Sequence, residues 1–187
     1  MNWKKTALCA FGFTVCAGLA AQDTEIIPNG DFEEGMHEWQ CPLWPRNSVN
    51  SFIGEEVSRG RGRRSLLLKV PAGKNATVLT PGRFALPKDA TRYVLTFYAK
   101  KAGEAADTGK NGTLEVRTYL AAKGLKELNF SVRIPYEKIG TEWTEGKLEF
   151  SIPTPYETGS LWIYYSGTQT DVQLYVDDIV LKPVTEE

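Results

Sequence analysis

The chain has 187 residues, of which 42% are hydrophobic, 11% aromatic and 24% charged, enough for one ordinary globular domain or two very small ones. Its formal net charge of −1 gives no whole-molecule field to hold nucleic acid or an anionic membrane, and its single histidine, His37, excludes sites built on two or more histidine ligands. Seventeen Gly, ten Pro, five Trp, eight Tyr and eight Phe make a turn-rich, aromatic-rich chain that leans toward β structure and away from a coiled coil.

The N-terminus opens Met1-Asn2-Trp3-Lys4-Lys5 and runs on as an apolar stretch from Ala7 to Ala21. A short basic head, an apolar run too short to span a bilayer and small residues at Gly18, Ala20 and Ala21 read as a secretory signal peptide over residues 1–21, cleaved after Ala20 or Ala21. Its removal takes Lys4, Lys5, Cys9 and Cys16, leaving 20 basic and 23 acidic residues, net −3, and Cys41 as the one thiol. One cysteine cannot close an internal disulfide, so the fold has to be held by its core or by a metal. No later segment is long and apolar enough for a membrane span, and the expectation is a secreted, periplasmic or cell-surface protein with a single domain over residues 22–187.

After the leader, apolar residues alternate with a period of two, the pattern of half-buried strands. Strands are predicted over 65–70, 77–79, 93–99, 114–120, 129–134, 148–152, 161–165 and 173–181. Tyr93, Leu95, Phe97 and Ala99 form one core-facing set, Leu114, Val116, Thr118 and Leu120 a second, and Leu148, Phe150 and Ile152 a third. Turns fall at Pro81-Gly82, Pro87-Lys88-Asp89, Lys110-Asn111-Gly112, Ala122-Lys123-Gly124 and Thr158-Gly159, and the polar stretch 101–110 reads as a mobile excursion. No stretch sustains a helical period with caps, so the fold class is all-β, a sandwich or barrel of short strands, and one β-sandwich domain is the economical reading.

The two ends carry a more specific pattern. Behind the leader stands Ile27-Pro28-Asn29-Gly30-Asp31-Phe32-Glu33-Glu34-Gly35, then Trp39, and the chain closes on Leu174-Tyr175-Val176-Asp177-Asp178-Ile179-Val180-Leu181. Between them lie Gly62-Arg63-Arg64-Ser65-Leu66-Leu67-Leu68, the strand at Tyr93, and Trp143 ahead of another strand. This order resembles the carbohydrate-binding modules of families 4, 9, 16 and 22, within the galactose-binding-like jelly rolls, over nearly all of the mature chain. The resemblance implies an antiparallel two-sheet β-sandwich of the jelly-roll kind, non-catalytic binding of polysaccharide and a structural calcium ion, with Trp39 and Trp143 as framework residues.

Calcium takes six to eight oxygen ligands from carboxylates and carbonyls. Asp31 and Glu33 share a parity at the start of the chain. In the last strand Asp177 shares a parity with Tyr175, Ile179 and Leu181, and Asp178 with Val176 and Val180, so one of the two aspartates points into the core and needs a cation or partner. Asp31, Glu33 and Asp177 are therefore the candidate calcium ligands, completed by a carbonyl of the 60–64 loop. The alternative has these acids exposed or paired with Arg61, Arg63 and Arg64.

A sugar site combines aromatic platforms with planar hydrogen-bonding groups. Parity sets Tyr98, Arg117 and Tyr119 on a non-core face, as the leading candidates for a cleft on one sheet. Trp44, Trp162 and Tyr164 are secondary, and Leu161-Trp162-Ile163-Tyr164-Tyr165 is apolar on both faces. The run Arg59-Gly60-Arg61-Gly62-Arg63-Arg64 reads either as a solvated loop or as a grip on sulfated or uronic-acid glycan. Sequons at Asn75, Asn111 and Asn129 carry little weight behind a bacterial-type leader. The pairs Glu33-Glu34 and Glu55-Glu56 point to opposite faces of a strand and cannot flank one bond, and no nucleophile elbow or phosphate loop is present. The expected partners are a polysaccharide or glycan, with separate glycoside hydrolases or cell-surface proteins, and no nucleic acid. The rival is an adhesion or assembly protein that uses the same jelly roll against protein.

Overall fold

The structure, a computed structural model, describes residues 26–42, 51–55, 57–60, 62–103, 112–167 and 169–184. The leader over 1–21, Trp44, Arg61 and most of the 101–110 excursion lie outside the described residues. The described chain forms β1 (Ser51–Glu55), β2 (Arg64–Val70), β3 (Ala76–Leu79), β4 (Phe84–Ala85), β5 (Arg92–Lys101), β6 (Thr113–Ala121), β7 (Leu128–Pro135), β8 (Thr144–Ser151), β9 (Thr158–Ser166) and β10 (Val172–Pro183), with one 3-10 turn at Tyr136–Lys138. All pairings are antiparallel, in one sheet of order β1-β2-β10-β5-β8 and another of order β3-β9-β6-β7, where β4 also pairs with β9. The isolated bridge Gln40–Leu79 lies alongside β3. Among the described residues no helix is long and apolar enough to cross a membrane.

The core lies between the sheets and is filled as period-two patterning dictates. Tyr93, Leu95, Phe97 and Ala99 of β5 are fully buried, as are Leu114, Val116, Thr118 and Leu120 of β6 and Leu161, Ile163 and Tyr165 of β9. Phe150 and Ile152 are buried too, whereas Leu148 is half-buried at the margin of the same cluster. Burying a side chain of this size is worth about 1.5–3 kcal/mol each, so the facing rows are what hold the two sheets together.

The opening segment departs from expectation. Asp31 and Glu33 stand in a succession of turns over 28–38, not on a strand, so their shared parity has no structural meaning. Asn29 organises these turns: its Nδ2 donates to the carbonyls of Gly35 (3.0 Å) and His37 (2.7 Å), and its Oδ1 accepts the Glu34 N–H (3.0 Å). Its own carbonyl accepts the Trp39 indole N–H at 2.9 Å. Phe32 takes a left-handed φ of +55° that a bulky residue rarely adopts, and full burial of its ring 5.1 Å from that of Trp39 offsets the strain. The turns dock on β10, where the Ile179 N–H donates to the Gly30 carbonyl at 2.9 Å. A Cβ at Gly30 would sit 2.1 Å from the Ile179 carbonyl oxygen, so only glycine allows this approach.

In β10 the register shifts between Asp177 and Val180, and Asp178 bulges out at φ +47°. The extra residue changes the alternation midway: Leu174 and Val176 face the core before the bulge, Ile179 and Leu181 after it. Tyr175 is therefore half-buried on the outer side rather than grouped with Ile179 and Leu181, and Asp177, opposite Tyr98, lies on that outer side too, buried not by the core but where the Arg59 main chain covers it.

Candidate functional site

The outer face of the β3-β9-β6-β7 sheet gathers four of the expected binding residues. On β6 the outward row is Glu115, Arg117 and Tyr119, and on β9 it is Ser160, Trp162 and Tyr164. Register sets Arg117 opposite Trp162, Glu115 opposite Tyr164 and Tyr119 opposite Ser160. Arg117, Tyr119, Trp162 and Tyr164, all half-buried, line one depression of about 170 Å³. The Tyr119 and Trp162 rings lie 5.2 Å apart and tilted by 55°.

Arg117 is held in place from below. Its Nε donates to Glu115 Oε1 at 2.8 Å, its Nη2 donates to the same oxygen, and its Nη1 donates to the Tyr119 hydroxyl at 3.0 Å. Glu115, only 6% exposed, also receives Arg133 from β7, whose Nε lies 3.2 Å from Oε2. Burial pushes the Glu115 carboxyl up, but hydrogen bonds from Arg117 and Ser131 and the charges of Arg117 and Arg133 outweigh it and hold it below the usual carboxylate range. Hydrogen bonds to Tyr119 and Glu115 hold the Arg117 guanidinium above its own range, so it stays charged.

Parity puts Glu115 on the outward row with Arg117 and Tyr119, but sequence reasoning gave it no role and missed Arg133. The signal was present as Glu115-x-Arg117-x-Tyr119, three outward positions whose polar groups can interlock. Missed too were Ser131 and Asn129, which pair with Arg117 and Tyr119 and form the polar flank of the same face.

Tyr98 does not join this group. It is outward and half-buried as parity requires, but on β5, in the other sheet, so the expected trio of Tyr98, Arg117 and Tyr119 is divided between the two outer faces. Parity fixes the side of its own sheet that a residue takes, not the sheet to which its strand belongs. Arg59 stacks on the Tyr98 ring at 3.3 Å, while the Tyr98 hydroxyl donates to Glu145 Oε1 at 2.9 Å. On the same face Lys100 Nζ lies 5.0 Å from the Trp143 ring and 5.8 Å from that of Tyr175. Trp39 is buried, and Trp143 is half-buried. Trp44 lies outside the described residues.

Among the described residues no three histidine, cysteine or acidic side chains converge as a metal-holding group. Asp177, 1% exposed, accepts the Arg59 N–H on Oδ2 and the Asp178 N–H on Oδ1, both at 2.8 Å. Burial, with the Asp178 charge alongside, pushes its carboxyl up to about 6 against these N–H donors and Ser58. Glu33 Oε1 accepts the N–H groups of Arg63 and Arg64, each at 2.8 Å, and the Arg64 Nη1 donates to the Glu33 carbonyl at 2.8 Å. Glu33 and Asp177 thus flank the same 58–64 segment. Asp31 is exposed and its Oδ1 accepts the Glu33 N–H at 3.3 Å, a local turn contact. Arg59 pairs with Asp178 at 2.7 Å, so the described part of the arginine run is engaged in ties within the protein.

No family model and no curated protein matches this chain. Solved structures do match in fold. One is the enzymatically active domain of tailspike protein 4 of bacteriophage CBA120, with a TM-score of 0.65, 14% identity and 86% of this chain covered, although the chain spans only 21% of that one's length. A family 16 carbohydrate-binding module matches with a TM-score of 0.58 and 22% identity over 84% of this chain and 99% of its own. The module TmCBM61, solved with β-1,4-galactotriose, matches with a TM-score of 0.57 and 14% identity over 86% and 99%. The chain therefore has the two-sheet fold of carbohydrate-binding modules, as its end motifs imply.

Proposed function

We propose that this protein is an exported, non-catalytic module that binds polysaccharide across the outer face of the β3-β9-β6-β7 sheet. The observation that carries this reading is the convergence of Arg117, Tyr119, Trp162 and Tyr164 on one depression. A pyranose has weakly apolar faces and a rim of hydroxyls, and rings set beside a fixed guanidinium and a phenol suit both. Two of its fold neighbours support the reading, being modules that the chain matches across nearly their whole length. A ring-lined depression also suits a small rigid guest better than a flat protein surface, which weighs against the adhesion reading. The basic-headed apolar leader supports export, and such a module would hold glycan at the cell surface or concentrate it for separate glycoside hydrolases.

Calcium belongs to the same proposal in a reduced form. A carboxylate as buried as Asp177 calls for positive charge, and Glu33 faces the same 58–64 segment. Glu33 and Asp177 would hold the ion together with main-chain carbonyls, and it would supply the charge that fixes the opening turns to the last strand. Asp31, committed to its turn, is left out.

Affinity electrophoresis of the mature chain against a panel of soluble polysaccharides tests the binding reading. At least one polymer is expected to retard it. Trp162→Ala should weaken that binding by about tenfold or more, as for a stacked aromatic hot spot, and Tyr98→Ala, on the opposite face, should leave it unchanged. Retardation by none, or an equal loss in both variants, overturns the proposal.

A further inference from the structure

The strands of the binding-side sheet, β3, β4, β6, β7 and β9, contain only three charged residues, Glu115, Arg117 and Arg133, whereas every strand of the other sheet carries at least one. The three are in mutual contact: both guanidinium groups reach the one buried carboxylate. Two positive charges against one negative leave a cationic surplus on a face otherwise built of rings, hydroxyls and amides, in a chain whose mature form is net acidic.

Arg117 has donors to spare. Of the five N–H groups of a guanidinium, one on Nε and one on Nη2 go to Glu115 and one on Nη1 to Tyr119, which leaves one on each Nη. Two N–H groups on a planar fork match a carboxylate in two-pronged fashion, a geometry that a lysine cannot reproduce. Cross-strand pairing puts this fork directly beside Trp162.

We propose that the glycan bound on this face is an acidic one, a polysaccharide of hexuronate residues, with a sugar ring on the Trp162 and Tyr164 side of the depression and its carboxylate on Arg117. The inference rests on the reading that this face binds glycan and adds the substrate class. The carboxylate of a hexuronate projects from the rim of the ring, so a ring lying on Trp162 delivers it sideways to the neighbouring strand, where Arg117 stands. Glu115 is a positioning residue: buried and doubly paired, it fixes the fork in register with the rings and keeps part of the positive charge compensated in the free protein. Arg133, more than half exposed, contributes long-range attraction rather than a contact.

The test compares soluble polyuronates (polygalacturonate and alginate) with the same polymers after reduction of their carboxyl groups to primary alcohols, by affinity electrophoresis and calorimetry on the mature chain. Binding to at least one polyuronate is expected, about tenfold or more weaker for its reduced counterpart and weakening further as sodium chloride is raised. Arg117→Lys, which keeps the charge but not the fork, should lose about tenfold on the polyuronate, with its melting temperature checked to show that the fold is intact. Arg133→Gln should lose a few-fold, and Trp162→Ala should lose binding to both forms. If the reduced or another neutral polymer binds as tightly as the acidic one, or salt has no effect, the acidic class is overturned while glycan binding stands. Binding to neither acidic nor neutral polymers overturns the site itself.

Discussion

Glu115 shows how one side chain sets the state of its surroundings. It is buried, yet its carboxyl titrates below the usual range, because the desolvation cost is outweighed by Arg117, Ser131 and Arg133. The folded protein then binds this proton less readily than the unfolded chain, so the stabilisation is complete above the ordinary carboxylate range and is lost as pH falls below it. Glu115→Gln should cost about 1–3 kcal/mol at neutral pH. Thermal melting from pH 7 to pH 3 should show the gap between the native protein and this variant widest near neutrality and closing toward acid. A constant gap would mean that Glu115 acts by shape alone. The polarity of Arg117 and Tyr119 was legible in the sequence from alternation, but the burial of Glu115 was not: a glutamate on an outward position reads as solvated until Arg133 is known to lie across from it.

Patterning and turn chemistry located eight of the strands, most clearly β5, β6 and β9, where one row of side chains is buried and the other, Glu115 apart, is not. The remaining features depend on partners distant in sequence. β1 and the two-residue β4 have too little patterning of their own and exist because β2 and β9 offer them main-chain groups. The bulge in β10 changes parity with no mark in the sequence other than Asp177-Asp178, and the assignment of β5 and β6 to different sheets has no local signal, which is why Tyr98 was grouped with Arg117. The opening turns read as strand because Asp31 and Glu33 alternate. Their actual constraint is steric, and Gly30→Ala tests it: with its Cβ directed at the Ile179 carbonyl, the turn must shift off β10. A loss of about 1–3 kcal/mol is expected, measured as a fall in the denaturant midpoint at unchanged slope.

At the scale of the whole molecule, the two outer faces differ in kind. One presents Tyr98, Trp143 and Tyr175 beneath Arg59 and Lys100; the other presents Trp162, Tyr164 and Tyr119 around a depression. The segment 58–64 joins the opening turns to the last strand through Glu33 and Asp177, and a calcium ion held there would stabilise the fold by mass action. Melting with and without a chelator is expected to differ by about 5–10 °C for an ion present at a hundred times its dissociation constant. An unchanged midpoint would leave the backbone N–H groups on Glu33 and Asp177 to make that junction alone. The short β3 has a further effect. With only four residues, and with Gln40 taking both main-chain groups of Leu79, it leaves little unpaired backbone at that margin of the sheet. Were copies to crowd along one polymer as proposed, they would meet at that margin through side chains and water, not by stitching their sheets into a continuous ribbon.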